Sequence, residues 1–377
     1  MQKIRQKITF LGQVLIWRWL QLWARPVAAT EASLVLVPCE PESVIGSRGD
    51  EAMIYAVLGD FRRRHPEGKI TVICRGEGVC MSEDGQRMTA DFPGLRFVPA
   101  WQGHNPLPKI AATIRASRAT EVYAIGADCM DGFYDPKVTL GLLASVDLAV
   151  RMGVKTRLTG FSFNAKPHPF VPGIFRYATR KLTFNLRDAI SLERFNALPH
   201  GHTGRLVADT AFCLEPKFTD RVNGWLAQMA ADRAAGKKVL GFNLNPLLRA
   251  KTNIDEEVER LRALGDTTAV YLIPHDYRGG GDLGELEKVH VRLPQAKIVR
   301  DVFSAAELKA LMSGVDSLFT QRMHLGIAAL GMGKPISFKA YQGKFEGLMR
   351  HFAGDVVGSL PKVCQLARLN LNEDDES

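Results

Sequence analysis

The run Thr320-Gln321-Arg322-Met323-His324-Leu325-Gly326 places a guanidinium and an imidazole two positions apart, where a short apolar stretch gives way to a helical pattern. A guanidinium grips carboxylate or phosphate oxygens through paired N–H donors. An imidazole trades protons near neutral pH. A histidine at a helix start also serves as a plain hydrogen-bonding group, so its position is what points to chemistry. Further on, Tyr341-Gln342-Gly343-Lys344-Phe345 follows the next apolar run, which puts Lys344 at a junction of the same kind. Arg187 follows the strand-like 183–186, and Asp188 then suits a helix cap. An arginine there can hold an anion or make an ordinary ion pair. Two glycine-bearing loops complete the set. Ile45-Gly46-Ser47-Arg48-Gly49-Asp50-Glu51-Ala52 precedes a helix, where glycines let a ligand approach the backbone and a helix start favours an anion. The same residues fit helix capping by Asp50, with Glu51 in the favourable first turn. Tyr277-Arg278-Gly279-Gly280-Gly281-Asp282 can cradle a phosphate or form a mobile connection.

The elements that must hold these residues alternate. Apolar runs at 34–37, 69–73, 121–125, 156–161, 183–186 and 205–207 are separated by helical stretches, including 50–64 and 138–152. A second series runs through 239–244, 269–273, 297–299, 317–320 and 335–338, after a crossover at 215–238. Short strands alternating with helices predict parallel sheets covered on both faces. The expected organisation is α/β: two Rossmann-like domains facing a cleft, at 31–214 and 215–377, after an amphipathic N-terminal helix at 1–30. Ligands of such folds bind outside the carboxyl ends of the strands, which is where the loops above fall. Glu373-Asp374-Asp375-Glu376 reads as a solvated tail.

Along residues 8–24, Ile8, Leu11, Leu15, Trp19, Leu22 and Trp23 share one helical face, while Lys3, Lys7, Gln13, Arg18, Gln21 and Arg25 gather on the other. That pattern suits a helix lying on an anionic membrane surface, and equally one packed on its own protein or on a twin subunit. The stretch is short and interrupted for a membrane span. A signal peptide is a third reading, with Val27-Ala28-Ala29 as the cleavage site, but Arg18 and Arg25 intervene and argue against cleavage.

The 377 residues are 46% hydrophobic and 24% charged, which places the chain among globular proteins of two domains. The formal net charge of +9 favours anionic partners, but the cations are scattered, which excludes a dense nucleic-acid-binding tract. The six cysteines form no C-x-x-C pair and sit at no zinc-ligand spacing, so reduced thiols in a cytoplasmic compartment are expected and no metal is.

From about Leu34 to Gly354 the sequence resembles the polysaccharide pyruvyl transferase family. The resemblance rests on ordered pieces: Gly49-Asp50-Glu51-Ala52, Asn185 to Ser191, Asp209 before Ala211-Phe212, Gly241 to Leu244, Ile273-Pro274-His275, Arg322-Met323-His324 and Tyr341 to Phe345. Ser47-Arg48 departs from the small or Asn-type residues usual there, and the Trp-rich start lies outside the match. The resemblance implies an architecture like that of GT-B glycosyltransferases and an enzyme without cofactor. Its donor would be phosphoenolpyruvate and its acceptor a hexose of an exopolysaccharide or lipid-linked repeat unit, giving a pyruvate ketal. It marks Arg187, His324 and Lys344 as donor-site or catalytic positions and Asp50 as an acceptor-side carboxylate. Arg322, Gly49, Glu51 and His275 are expected beside them as substrate-binding residues. Expected partners are the donor, the sugar and a membrane surface reached through residues 1–25, with the protein peripheral on the inner face. The competing expectations are a nucleotide-sugar glycosyltransferase of the same architecture and a non-catalytic scaffold for polysaccharide assembly.

Overall fold

A computed structural model describes residues 2–339 and 344–371, with side chains for all of these except residues 2–6 and Lys344. The Tyr341-Gln342-Gly343 piece and the acidic tail lie outside the described residues. The chain forms two compact units. The first comprises residues 1–46, 53–210 and 365–377, and the second residues 47–52 and 211–364. The chain thus passes between units at 210/211, not at 214/215. Two short segments, one early and one late, belong to the unit remote in sequence.

The first unit is built on a five-stranded parallel sheet of order β3-β2-β1-β4-β5. Its strands are β1 (Ser33–Val37), β2 (Lys69–Ile73), β3 (Leu95–Val98), β4 (Glu121–Ala124) and β5 (Lys155–Leu158). All five residues of β1 are buried, as a strand covered by helices on both faces requires. Phe161 bridges onward to Leu186 and so annexes a small sheet of β6 (Phe184–Leu186) and β7 (Gly204–Leu206). The strand expected at 183–186 therefore exists, but outside the main sheet. The edge strand β3 escaped the reading because only Leu95 of its four residues is fully buried, so its apolar signal is weak. Phe161, Phe163, Phe175, Phe184 and Phe195 interlock edge to face in the core.

The N-terminal helix α1 (Gln2–Trp23) is part of this unit. Trp17 is fully buried, beside Phe10 and Val14, and its indole N–H donates to Asp147 at 2.9 Å. The inner side also carries Gln13, which donates to the His104 carbonyl, and Gln21, which donates to Asp147 and the Tyr177 carbonyl. Packing on its own protein, one of the expectations for this helix, therefore holds for its inner side, and Gln13 and Gln21, grouped by periodicity with the basic residues, belong to that side. No helix among the described residues is long and apolar enough to cross a membrane.

The second unit repeats the strand order. Its sheet runs β10-β9-β8-β11-β12, from β8 (Lys238–Phe242), β9 (Thr268–Leu272), β10 (Lys297–Ile298), β11 (Ser317–Thr320) and β12 (Ile336–Phe338). One face packs Val239, Tyr271, Leu311 and Leu318, the other Phe242, Leu272, Leu286 and Val289. Alternation along each strand divides the two layers. The crossover expected at 215–238 contains the helix Asp220–Ala234, capped by Thr219.

Candidate functional site

Three loops leave the carboxyl ends of β8, β9 and β11, and a network of side chains ties them together. Asn243, after β8, donates to the Ile273 carbonyl and to Asp282 while accepting from Thr320 at the end of β11. Gln321 accepts the Asn245 amide at 2.9 Å and is fully buried. Thr320 Oγ1 also accepts the Arg322 amide, which fixes the turn that presents Arg322 and then His324, the second residue of the helix Met323–Gly331. The order of the strands reverses between β8 and β11, where an open α/β sheet leaves its ligand crevice.

Asp282 is the hub of the network. Its carboxylate is fully buried and accepts the His275 and Asp276 amides at 3.1 and 3.2 Å. It also takes Nε and Nη2 of Arg322, at 3.0 and 2.6 Å. This revises the phosphate cradle expected at Tyr277–Asp282. The Arg278 amide is taken by the Asp276 carboxylate and the Gly281 amide by the Arg278 carbonyl, and Asp282 itself faces Arg322. The glycines serve a tight turn instead: Gly281 has φ +44°, and a side chain there would overlap the Asp276 carbonyl. Arg322 is 14% exposed at its side chain, and its Nη1 donates to no described residue. Breaking such a buried pair costs about 3–5 kcal/mol, so the guanidinium is held firmly.

The segment 47–52 completes the site, as the first turn of helix α2 (Arg48–Arg64). A Cβ on Gly49 would come within 3.0 Å of three ring atoms of His324, so only glycine lets this turn pack on the imidazole. Ser47, not Asp50, caps α2: its hydroxyl accepts the Asp50 amide and donates to the Asp50 carboxylate at 3.0 Å. Asp50 is half-buried. Glu51 is almost wholly buried and pairs with Arg48 at 2.7 Å, which makes it the counter-ion of an arginine. Arg48 lies 5.4 Å from the centre of the Tyr277 ring. Arg48, His275, Lys309 and His324 line a small cavity with Leu214 and Ile327, with room for about one water molecule.

Burial and the nearby charges of Arg322, His324 and Arg48 hold the His275 imidazole well below its ordinary pKa, so it is neutral, and its Nδ1 has no hydrogen-bond partner among the described residues. Burial raises the Asp276 carboxylate, but its bonds to Arg278 and the charge of Arg322 outweigh this and hold it low. Burial also lowers Lys309, whose ammonium donates to the Phe212 and Leu214 carbonyls at 2.9 and 2.6 Å.

The second unit thus brings together Gly49, Asp50, Glu51, His275, Arg322 and His324. Lys344 opens the helix Lys344–Met349 of the same unit. Arg187 belongs to the first unit, where it is buried, donates to Ser162 at 2.8 Å and pairs with Asp209 at 2.8 Å. Asp188 caps the helix Ala189–Asn196 as expected. Sequence reasoning missed Arg48, Lys309 and Asp282. Arg48 departs from the residue types usual at its place in the family. Lys309 sits mid-helix, where a lysine gives no signal. Asp282 ends a glycine loop, and its position alone does not show that it faces Arg322. Among the described residues no group of three or more His, Cys, Asp or Glu is placed to hold a metal ion.

Two parallel sheets of matching strand order, the second edged with arginine and imidazole groups, define a GT-B-like α/β protein. Solved structures share this fold. A UDP-GlcNAc 2-epimerase from Neisseria meningitidis, bound to UDP-GlcNAc, aligns with TM-score 0.52 at 10% identity over 92% of this chain and 94% of its own. A glycosyltransferase from Rickettsia africae gives 0.52 at 12% identity over 92% of both chains. HepE from Anabaena, in complex with UDP-glucose, gives 0.51 at 11% identity over 90% and 93%. No curated protein sequence matches. The family model for polysaccharide pyruvyl transferase matches residues 48–342, and the chain belongs to that family.

Proposed function

We propose that this protein transfers the pyruvyl group of phosphoenolpyruvate to a hexose of an exopolysaccharide or lipid-linked repeat unit, closing a ketal on two hydroxyls. The observation that carries the reading is the Arg322–His324 pair, anchored by Asp282 on one side and by the Gly49 backbone on the other. A proton added to the donor's methylene carbon leaves an oxocarbenium-like centre at C2. One sugar hydroxyl adds there and gives up its proton, the C2–O bond to the phosphorus-bound oxygen breaks as inorganic phosphate leaves, and the second hydroxyl adds at C2 and loses its proton to close the ring. Arg322, with Lys344, grips the carboxylate and phosphate and stabilises the charge of the leaving group. His324 supplies or relays the proton. Asp50 orients the acceptor hydroxyl. Arg48 joins the cationic set, with Glu51 acting through it. His275, neutral and buried, offers a hydrogen bond without adding charge. The enzyme works on the cytoplasmic side, peripheral to the membrane where lipid-linked acceptors are met.

The test is incubation with phosphoenolpyruvate and a panel of hexose oligosaccharides, with free phosphate measured and the product examined by proton NMR. A new methyl singlet together with phosphate release is expected. Consumption of UDP-sugars instead, with phosphoenolpyruvate untouched, would establish the glycosyltransferase reading. Turnover of neither would leave the assembly-scaffold reading.

A further inference from the structure

Helix α1 is apolar on two sides, and the structure uses only one. Opposite the buried Phe10, Val14 and Trp17 runs a stripe of Ile8, Leu11, Leu15, Trp19, Leu22 and Trp23, all exposed: Leu15 by 69%, Trp19 by 56%, Leu22 by 81% and Trp23 by 55%. Large apolar side chains repeated at helical spacing and left uncovered mark an interaction surface. The tryptophans sit side by side, with ring centres 6.1 Å apart. Lys7 and Arg18 are exposed and eleven positions apart, about three turns, so they stand in line on one flank of the stripe. Residues 1–30 carry Lys3, Arg5, Lys7, Arg18 and Arg25 and no Asp or Glu.

We infer that this stripe seats on the surface of an anionic lipid bilayer, with α1 lying in the plane of the interface. The charge argues for lipid over a second copy of the chain. A symmetric dimer with the two helices antiparallel through the stripe would set cationic flank against cationic flank, whereas acidic headgroups neutralise it. Indole rings favour the boundary between headgroups and acyl chains. The bonds of Trp17 and Gln21 to Asp147 clamp the inner side of the helix to the first unit. The helix therefore cannot turn to cross the membrane, and the bilayer fixes the orientation of that unit. The inference deepens the peripheral placement proposed above and does not depend on the donor.

The experiment is sedimentation of the full chain with vesicles of phosphatidylcholine containing phosphatidylglycerol and with vesicles of phosphatidylcholine alone, without substrate. Binding to the mixed vesicles, about tenfold or more weaker on the neutral ones, is expected. A Leu15→Asp/Leu22→Asp double variant should lose binding while keeping the wild-type melting temperature. Brominated lipid should quench part of the tryptophan fluorescence of the unaltered protein, a readout that needs no variant. Failure to sediment, absence of quenching, or equal binding by the double variant would overturn the inference. So would light scattering that shows a wild-type dimer split by the double variant, since the stripe would then belong to a twin subunit. Phosphate release in vesicle-free buffer is read separately, so loss of one result leaves the other standing.

Discussion

The two sheets share one strand order and differ in what stands at their carboxyl edges. In the first unit, the chain beyond β1 and β4 runs through Cys39, Ile45, Ile125 and Ala127, all buried and apolar. In the second, the corresponding positions beyond β8 and β11 carry Asn243, Asn245, Gln321, Arg322 and His324. The same topology thus frames an edge of mixed character in one case, where Glu40, Glu42 and Asp128 stand among buried apolar residues, and a dense polar network in the other. Each unit also holds a buried arginine–aspartate pair. Arg187–Asp209 is sunk to 4% and 1% exposure, whereas Arg322 keeps 14% beside a carboxylate of 0%. A strand order can say where a ligand would enter, but the side chains at the edge decide whether there is chemistry to do.

The comparison can be broken in four places. The largest effect is expected from His324→Ala, which should lower turnover roughly 100- to 10,000-fold without changing the melting temperature. Near-normal phosphate release would remove the second unit from the chemistry. Next come the two ion pairs. Asp282→Asn and Asp209→Asn should each cost about 3–5 kcal/mol of stability by chemical denaturation, because each strands a buried arginine. A small loss at Asp282 with a large one at Asp209 would show that Arg322 is far less committed than its geometry implies. Third, Gly49→Ala must displace the His324 ring, and about a tenfold drop in kcat is expected with folding intact. An unchanged kcat would mean that the ring's position does not matter.

The smallest effect is on pH dependence. Burial, before any charge, depresses His275 in the second unit and His200 and His202 in the first below 6.5. A base with a depressed native pKa binds fewer protons folded than unfolded once the pH drops below 6.5. The stability it contributes is therefore present above that value and declines as the pH falls toward the native pKa. Urea midpoints at about pH 5.5 should lie below those at about pH 7.5. His275→Asn and His200→Asn should each flatten part of the difference, and a slope unaltered by both would refute the assignment.

Much of this architecture was legible in the order of residues. Runs such as 34–37 and 269–273 announce covered parallel strands by their unbroken apolar character. Arg322 and His324 stood out because they follow such a run directly. The polar residues that hold them were not legible for the opposite reason. Asp282 acts on Arg322 from forty positions away, and Lys309 reaches carbonyls nearly a hundred positions earlier. Spacing in the chain carries no trace of such pairings. Trp17 misled in another way: a helix apolar on both sides leaves its periodicity undecided about which side is covered. Gly49 could be read as backbone freedom, but its real purpose, contact with a ring far along the chain, needed coordinates.

The last described residues have a consequence for how the protein is made. Leu369, Asn370 and Leu371 belong to the first unit, where Asn370 accepts the Gly160 amide and donates to the Ala208 carbonyl, and Tyr123 donates to the Leu371 carbonyl. The ribosome must therefore add every residue of the second unit before it supplies the piece that closes the first. At about 5–20 residues per second, that wait is roughly ten to thirty seconds. Throughout it the Gly160 amide and the Ala208 carbonyl of the nascent first unit lack the Asn370 partner that joins them in the finished fold.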